Sequence, residues 1–199
     1  MKRGTIVGVV VVGLLVILGF SCASSYNGLV GLDQAVQAQW GQVENVYQRR
    51  ADLIPNLVET VKGAANFEKE TLIAVTEARA KVGQVTAGKD VVNDPAAFQK
   101  FQQAQDGLSG ALSRLLVVAE KYPELTATQG FRDLQVQLEG TENRITVERQ
   151  RFNEAAQAFN TKRNSFPTVL IAGVFGSKFQ EKQFFHAAAG SDQVPKVKF

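Results

Sequence analysis

The chain has 199 residues, of which 45% are hydrophobic and 21% are charged, and this composition is typical of a globular domain with a buried core. The 22 basic and 19 acidic residues leave a net charge of +3 and are interspersed along the chain, which argues against nucleic acid as a partner. One cysteine and one histidine exclude an intramolecular disulfide and leave almost no material for a zinc site or a Cys–His catalytic pair.

An uncharged apolar run follows Lys2 and Arg3 at the N-terminus. It reads GTIVGVVVVGLLVILGFSCA and has about the 20 residues that cross a bilayer as a helix. The next basic residue is Arg49, so the distribution of Lys and Arg predicts a short cytoplasmic N-terminus. The sequence therefore predicts a single-pass protein of the cytoplasmic membrane, anchored by residues 1–25, with an extracytoplasmic main domain.

Two kinds of anchor compete for this run, because it is too long for a plain signal peptide and has no A-x-A cleavage pattern. The preferred interpretation is an uncleaved transmembrane helix, with Cys22 as a small side chain near its end. The alternative is a lipid-anchored envelope lipoprotein, since GFSC followed by ASS resembles a lipobox in which Cys22 is acylated. Gly19 stands where a lipobox usually has Leu, so lipidation of Cys22 is a conditional prediction.

Beyond the anchor, apolar residues recur every three or four positions, as on one face of a helix. Helices are predicted over residues 27–65, from Asn66, from Pro95 (capped by Asp94) to Pro123, and over residues 128–164. Strand patterns and internal repeats are missing from the sequence. We therefore expect an all-α fold, an elongated antiparallel bundle of about four long helices over residues 26–166. Residues 167–199 lack a sustained period and are predicted to form an irregular tail packed on the bundle.

A proline and two charged residues interrupt the apolar stripes, the apolar faces of the predicted helices. The first stripe keeps its phase across Pro55, which predicts a kinked but continuous helix in which the carbonyl of Ala51 loses its N–H partner. Asp52 is placed to cap a partial restart of the helix after the kink. Arg50 and Glu148 fall on the apolar faces of the first and fourth helices, where an unpaired charge costs several kcal/mol.

These positions predict a buried polar network in the middle of the bundle, with Arg50 bonded to Glu142 or Glu148. The alternative is that the charged side chains reach water at the edge of the bundle. Arg50, Asp52, Pro55 and Glu148 are therefore the candidate structural or interaction residues. Arg79, beside the apolar face of the second helix, is expected to point to water.

Reactive or ligand-binding motifs are weak in this sequence. GQVTAGKD, residues 83–90, matches part of a phosphate-binding loop, but it follows a helical pattern and has Asp90 where the loop needs a hydroxyl. His186 has no second histidine or cysteine near it. The sequence therefore predicts no catalytic residue, no metal site, no cofactor and no small-molecule substrate, and the protein is not expected to be an enzyme.

Several stretches form a pattern that covers nearly the whole chain beyond the anchor. They are QVENVYQRRADLIPNLVETVKG (42–63), FEKETL (67–72), KYPEL (121–125), ENRITVERQRFNEA (142–155) and FPTVLIAGVFG (166–176). The pattern resembles the LemA family of bacterial envelope proteins. This resemblance implies a membrane anchor followed by a helical bundle, without an established activity or catalytic residues. One branch of related proteins is associated with the building of bacterial magnetic organelles.

The resemblance leads us to expect a membrane-tethered scaffold or adaptor for envelope protein partners. The alternative is a membrane-organising protein whose bundle or aromatic tail binds lipid directly. This alternative concerns the aromatic cluster of Phe175, Phe179, Phe184 and Phe185 in that tail.

Overall fold

A computed structural model describes residues 3–63, 67–86, 90–176 and 178–187. Its helices, in chain order, are α1 (Arg3–Lys62), α2 (Lys69–Thr86), α3 (Pro95–Ala119), α4 (Pro123–Thr126), α5 (Gln129–Asn164) and α6 (Thr168–Val174). No strand occurs in the described ranges, and the predicted all-α fold is confirmed. Asn66, the predicted start of the second helix, lies outside the described residues.

The apolar N-terminal run and the first bundle helix form one element, α1. Its 60 residues make a helix about 90 Å long at a rise of 1.5 Å per residue. The large apolar side chains described between Ile6 and Phe20 are exposed, whereas Leu29 and Val36 are fully buried. This helix therefore includes a segment that is long and apolar enough to cross a membrane. The backbone has no break near residue 25, where the sequence divides anchor from bundle.

The four longest helices of the described chain form an up-and-down bundle, in which α1 packs against α5 and α2 packs against α3. The contacts along α1 and α5 run in opposite directions. Gln39 bonds to Glu148, whereas Arg50, further along α1, bonds to Glu142, which comes earlier in α5. The two helices are therefore antiparallel, and α4 lies in the connection between α3 and α5.

Capping side chains begin two of the helices at the predicted positions. The carboxylate of Asp94 accepts hydrogen bonds from two N–H groups in the first turn of α3, where Pro95 is the first residue. The hydroxyl of Thr128 accepts one in the first turn of α5. The third helix ends before the predicted position, at Ala119. Pro123 instead opens α4, because a proline in a first turn needs no N–H partner.

Two hydrophobic clusters fill the bundle, one on each side of Arg50. The proximal cluster, toward the apolar end of α1, surrounds Trp40, whose ring centroid is 5.0 Å from that of Phe101 and 5.5 Å from that of Phe152. The distal cluster is mainly aliphatic and includes Ile54, Leu57, Val75, Leu108, Leu115 and Leu138. Burial of these stripes stabilises helices that would be only marginally stable alone.

The segment 178–187 has no helical backbone and lies along the proximal cluster, with Phe179 and Phe185 buried. Two asparagines of α5 hold its main chain. Asn160 bonds to both the N–H and the C=O of Lys182, and Asn153 bonds to both groups of Phe185, at 2.8–2.9 Å. These side-chain amides satisfy backbone groups that a neighbouring strand would satisfy in a sheet.

Candidate functional site

A polar network centred on Arg50 separates the two hydrophobic clusters. The side chain of Arg50 is 1% exposed. Its Nη1 donates hydrogen bonds to Ser109 Oγ at 2.6 Å and to Glu142 Oε2 at 3.0 Å, and its Nη2 donates to Gln105 Oε1 at 2.5 Å. These bonds match the charge of the buried guanidinium and its two terminal nitrogens, whereas the buried Nε has no hydrogen-bond partner among the described residues. The predicted mid-bundle pair between Arg50 and a carboxylate of the fourth helix is present, and Glu142 supplies the carboxylate.

The two ends of this ion pair differ in their contact with water. Glu142 is half-exposed, whereas Arg50 is enclosed by α1, α3 and α5. The network thus runs from the centre of the bundle to its surface.

Tyr47 lies one turn before Arg50 on α1, and its ring centroid is 5.1 Å from the guanidinium carbon. Burial raises the pKa of Tyr47 from 10.0 to about 12, although the positive charges of Arg149 and Arg50 oppose this shift. The hydroxyl is therefore neutral at physiological pH, and the ring serves as an uncharged wall beside the arginine.

The helix continues through Pro55, as the stripe predicted. The carbonyl of Ala51, which proline deprives of its N–H donor, accepts a hydrogen bond from Arg79 Nε at 3.1 Å. Arg79 is exposed, as expected from its position beside the apolar face, and its Nε also binds this carbonyl. Asp52 does not restart a helix: α1 is continuous there, and its Oδ1 accepts a bond from Gln48 Nε2 at 2.7 Å.

Glu148 lies apart from Arg50, in the proximal half of the bundle. Its side chain is 15% exposed, and it accepts a hydrogen bond from Gln39 Nε2 at 2.6 Å and forms an ion pair with Arg151 at 2.9 Å. The side chain of Arg151 is exposed, so this ion pair lies at the surface of the bundle. The antiparallel register therefore brings Glu142, and not Glu148, to the level of Arg50.

A surface cleft of about 470 Å³ opens beside the Arg50 network, between α1, α2 and α3. Tyr47, Phe101 and Gln105 line its interior, and the exposed side chains of Glu44 and Arg79 stand at its edge. It therefore combines an apolar wall with hydrogen-bonding groups and with charges of both signs. The cleft is partly open to solvent, and a mixed lining of this kind is typical of surfaces that bind protein segments.

A second buried charge, Lys182, was not identified from the sequence. It is 1% exposed; its Nζ forms an ion pair with Asp33 Oδ1 at 2.6 Å and donates a hydrogen bond to Asn93 Oδ1. The ammonium also lies 4.9 Å from the ring centroid of Phe159. The sequence does contain a signal for this pair: Asp33 is four residues after Leu29 and three before Val36, which places a carboxylate on the apolar face of α1. This pair joins the tail to α1.

The other residues considered from the sequence lie outside these networks. Cys22 is an exposed free thiol on α1, and His186 is exposed near the end of the described tail. Within the described ranges, no group of three or more His, Cys, Asp or Glu side chains is arranged to hold a metal ion. Residues 87–89 of the GQVTAGKD motif lie outside those ranges.

Comparison with known proteins extends over nearly the whole chain. A family model described as LemA family matches residues 39–199. Magnetosome protein MamQ of Magnetospirillum gryphiswaldense is 24% identical over 212 residues, which cover 96% of this chain and 76% of the relative. Magnetosome protein MamQ 2 of Paramagnetospirillum magneticum is 27% identical over 204 residues, covering 90% and 74%. Protein LemA of Metamycoplasma hominis is 25% identical over 146 residues, covering 73% and 63%.

The family match includes the Arg50 network, the cleft and the tail, and it begins after the apolar segment of α1. None of these three names denotes an enzyme.

Proposed function

The chain belongs to the LemA family, and we propose that it is a membrane-tethered scaffold or adaptor that binds envelope proteins through the cleft beside Arg50. The observation that carries this proposal is the continuity of α1. One helix joins the apolar segment to the bundle without a loop, and the cleft lies on that same helix. The bundle thus presents the cleft at a set height above the membrane instead of swinging on a linker.

The Arg50 network supports this role by making the cleft rigid. It connects α1, α3 and α5 at the level of the cleft, and Tyr47 and Gln105 belong both to the network and to the cleft wall. Rigid walls lower the conformational entropy lost when a partner binds. The names of two relatives assign them to the magnetosome and name no reaction.

The attachment of α1 is part of the proposal. We propose an uncleaved single-pass helix in the cytoplasmic membrane, with the short N-terminus cytoplasmic and the bundle extracytoplasmic; the competing proposal is a lipoprotein acylated at Cys22. A Cys22→Ala variant tests the choice. Unchanged mature mass and unchanged lipid labelling support the transmembrane helix, whereas loss of lipid label and retention of the precursor support the lipoprotein.

Direct lipid binding by the aromatic tail is less well supported. Phe179 and Phe185 are buried in the proximal cluster, and paired main-chain bonds to α5 hold the segment that carries them. These two rings are not available to lipid while the tail is docked.

Site-specific photo-crosslinking in the native cells tests the adaptor proposal. The full chain carries p-benzoylphenylalanine at Glu44, on the edge of the cleft, or at Gln42, an exposed control position on the same helix outside the cleft. We expect discrete protein adducts from Glu44 that are absent from Gln42. Lipid adducts alone, or identical patterns at both positions, would contradict a protein-binding cleft.

A further inference from the structure

The helix α6 and the residues just before it expose a group of large apolar side chains at the end of the bundle nearest the apolar segment of α1. Phe166 is 82% exposed, Leu170 is 63% exposed and Val174 is 80% exposed. Elsewhere in the described bundle, exposed large apolar residues are scattered singly, as they are on most soluble surfaces. A contiguous apolar group of this kind marks a surface that another phase or partner covers.

The position of α6 is set by contact with α1. The ring centroids of Tyr26 and Phe175 are 5.3 Å apart. The two helices form an open apolar groove of about 540 Å³, lined on the α1 side by Cys22, Ala23, Tyr26 and Asn27, and on the other side by Leu170, Ile171, Val174 and Phe175. The groove is therefore continuous with the apolar segment of α1 that precedes it.

Helix geometry places this groove at the boundary of a bilayer. About 20 helical residues cross the hydrocarbon core, which is about 30 Å thick. The exposed apolar residues of α1 extend to Phe20, and Tyr26 lies about 9 Å further along the axis at 1.5 Å per residue. If α1 crosses the membrane, α6 lies where acyl chains meet headgroups, the depth that amphipathic interfacial helices occupy.

Basic side chains border the same end of the bundle. Lys178 Nζ lies 2.6 Å from the hydroxyl of Tyr26, and Lys162 packs beside Gly28 with its side chain exposed. Lysine and tyrosine at a membrane boundary place their apolar parts toward the acyl chains and their polar ends at the headgroups. The charge around the groove thus complements anionic lipid headgroups.

We propose that α6 is an interfacial membrane helix, with Leu170 and Val174 immersed in the leaflet on the bundle side and the groove occupied by an acyl chain of a membrane phospholipid. This inference rests on the proposed membrane attachment of α1. Two attachments, α1 across the membrane and α6 in its surface, set the rotation of the bundle about α1. The cleft beside Arg50 then faces one direction relative to the membrane plane.

Quenching by brominated lipid tests this placement in the full chain. The protein is reconstituted in phosphatidylcholine–phosphatidylglycerol vesicles whose acyl chains carry bromine, and tryptophan is introduced as Leu170→Trp or Val174→Trp. Val136→Trp is the matched control, because Val136 is also an exposed apolar residue but lies on the distal part of α5. Leu14→Trp in the apolar segment reports insertion of α1. The unsubstituted chain supplies the background from Trp40.

We expect both α6 variants to lose about half or more of their added emission, because an interfacial helix lies about 5–10 Å into the headgroup and acyl boundary. Quenching no stronger than that of Val136→Trp, with Leu14→Trp fully quenched, would overturn the inference and leave the attachment of α1 intact. An unquenched Leu14→Trp would overturn both. Leu170 and Val174 are largely exposed, so the larger ring is accommodated without disturbing the core.

Discussion

Removal of the Glu142 carboxylate should destabilise the bundle through the charge left on Arg50. In a Glu142→Ala variant the guanidinium stays 1% exposed and keeps Ser109 and Gln105 as acceptors, but it loses its ion-pair partner. Removing one partner of a fully buried pair costs about 3–5 kcal/mol, whereas a surface pair contributes about 0–1 kcal/mol. Because Glu142 is half-exposed and water can replace part of it, we expect a loss of about 2–3 kcal/mol.

Denaturant unfolding of the full chain in detergent, followed by circular dichroism, measures this loss. Glu139→Ala is the matched control, because Glu139 is an exposed glutamate on the same helix and bonds only to Gln135 among the contacts described. We expect that control to change the free energy of unfolding by no more than about 0.5 kcal/mol.

A double-mutant cycle assigns the effect to the pair. In an Arg50→Met background the buried charge is absent, so Glu142→Ala should cost no more than about 0.5 kcal/mol, giving a coupling energy of about 2 kcal/mol. Equal unfolding midpoints for Glu142→Ala and Glu139→Ala, or an undiminished cost in the Arg50→Met background, would refute the argument that a desolvated arginine depends on this carboxylate.

Two further predictions concern the same region of α1. Arg79→Ala should lower the free energy of unfolding by about 1 kcal/mol, because the carbonyl of Ala51 loses its donor. This cost should largely vanish in a Pro55→Ala background, where residue 55 regains its N–H. Denaturant midpoints of the single and double variants measure the cost, and a cost unaffected by Pro55→Ala would contradict the prediction. For Tyr47, the pKa in the fold is raised to about 12, so its contribution to stability is complete below pH 10 and is lost as the pH rises toward 12. Tyr47→Phe should remove the part of the high-pH loss of stability that is due to Tyr47, which amounts to about 2–3 kcal/mol for a shift of two pKa units. Denaturant unfolding of both proteins at pH 9 and pH 12 measures this difference. Identical pH dependence in the two proteins would argue against a buried neutral hydroxyl.

The local signals in the sequence predicted much of the helical architecture. Apolar stripes report which helix face is buried, and Asp94 and Thr128 cap helices because the first-turn N–H groups need acceptors close in sequence. The prediction that the helix continues through Pro55 also succeeded, because the apolar residues before and after the proline keep the same helical spacing. The end of the third helix was misplaced, since Pro123 fits the first turn of α4 as well as it terminates a helix.

The choice between partners depended on distances between helices. The sequence identified Arg50 as a misplaced charge that needed a carboxylate, but both Glu142 and Glu148 satisfied the helical period. Only the antiparallel register of α1 and α5 brings Glu142 to within 3.0 Å. In the same way, Arg79 reaches the Ala51 carbonyl because α2 packs beside α1, a relation that neither helix encodes alone.

By itself, the sequence determined an apolar N-terminal segment, a run of amphipathic helices and the positions where charge conflicts with burial, because each of these is a local property of spacing and composition. The tertiary structure alone decided how the conflicts are resolved. It joined Lys182 to Asp33, folded the tail onto the asparagines of α5, and left the apolar side chains of α6 exposed beside the end of the apolar segment. The physical reason is that a buried charge or backbone group must find its partner in space, and residues that meet there can lie far apart in the chain, as Asp33 and Lys182 do at a separation of 149 positions (182 − 33).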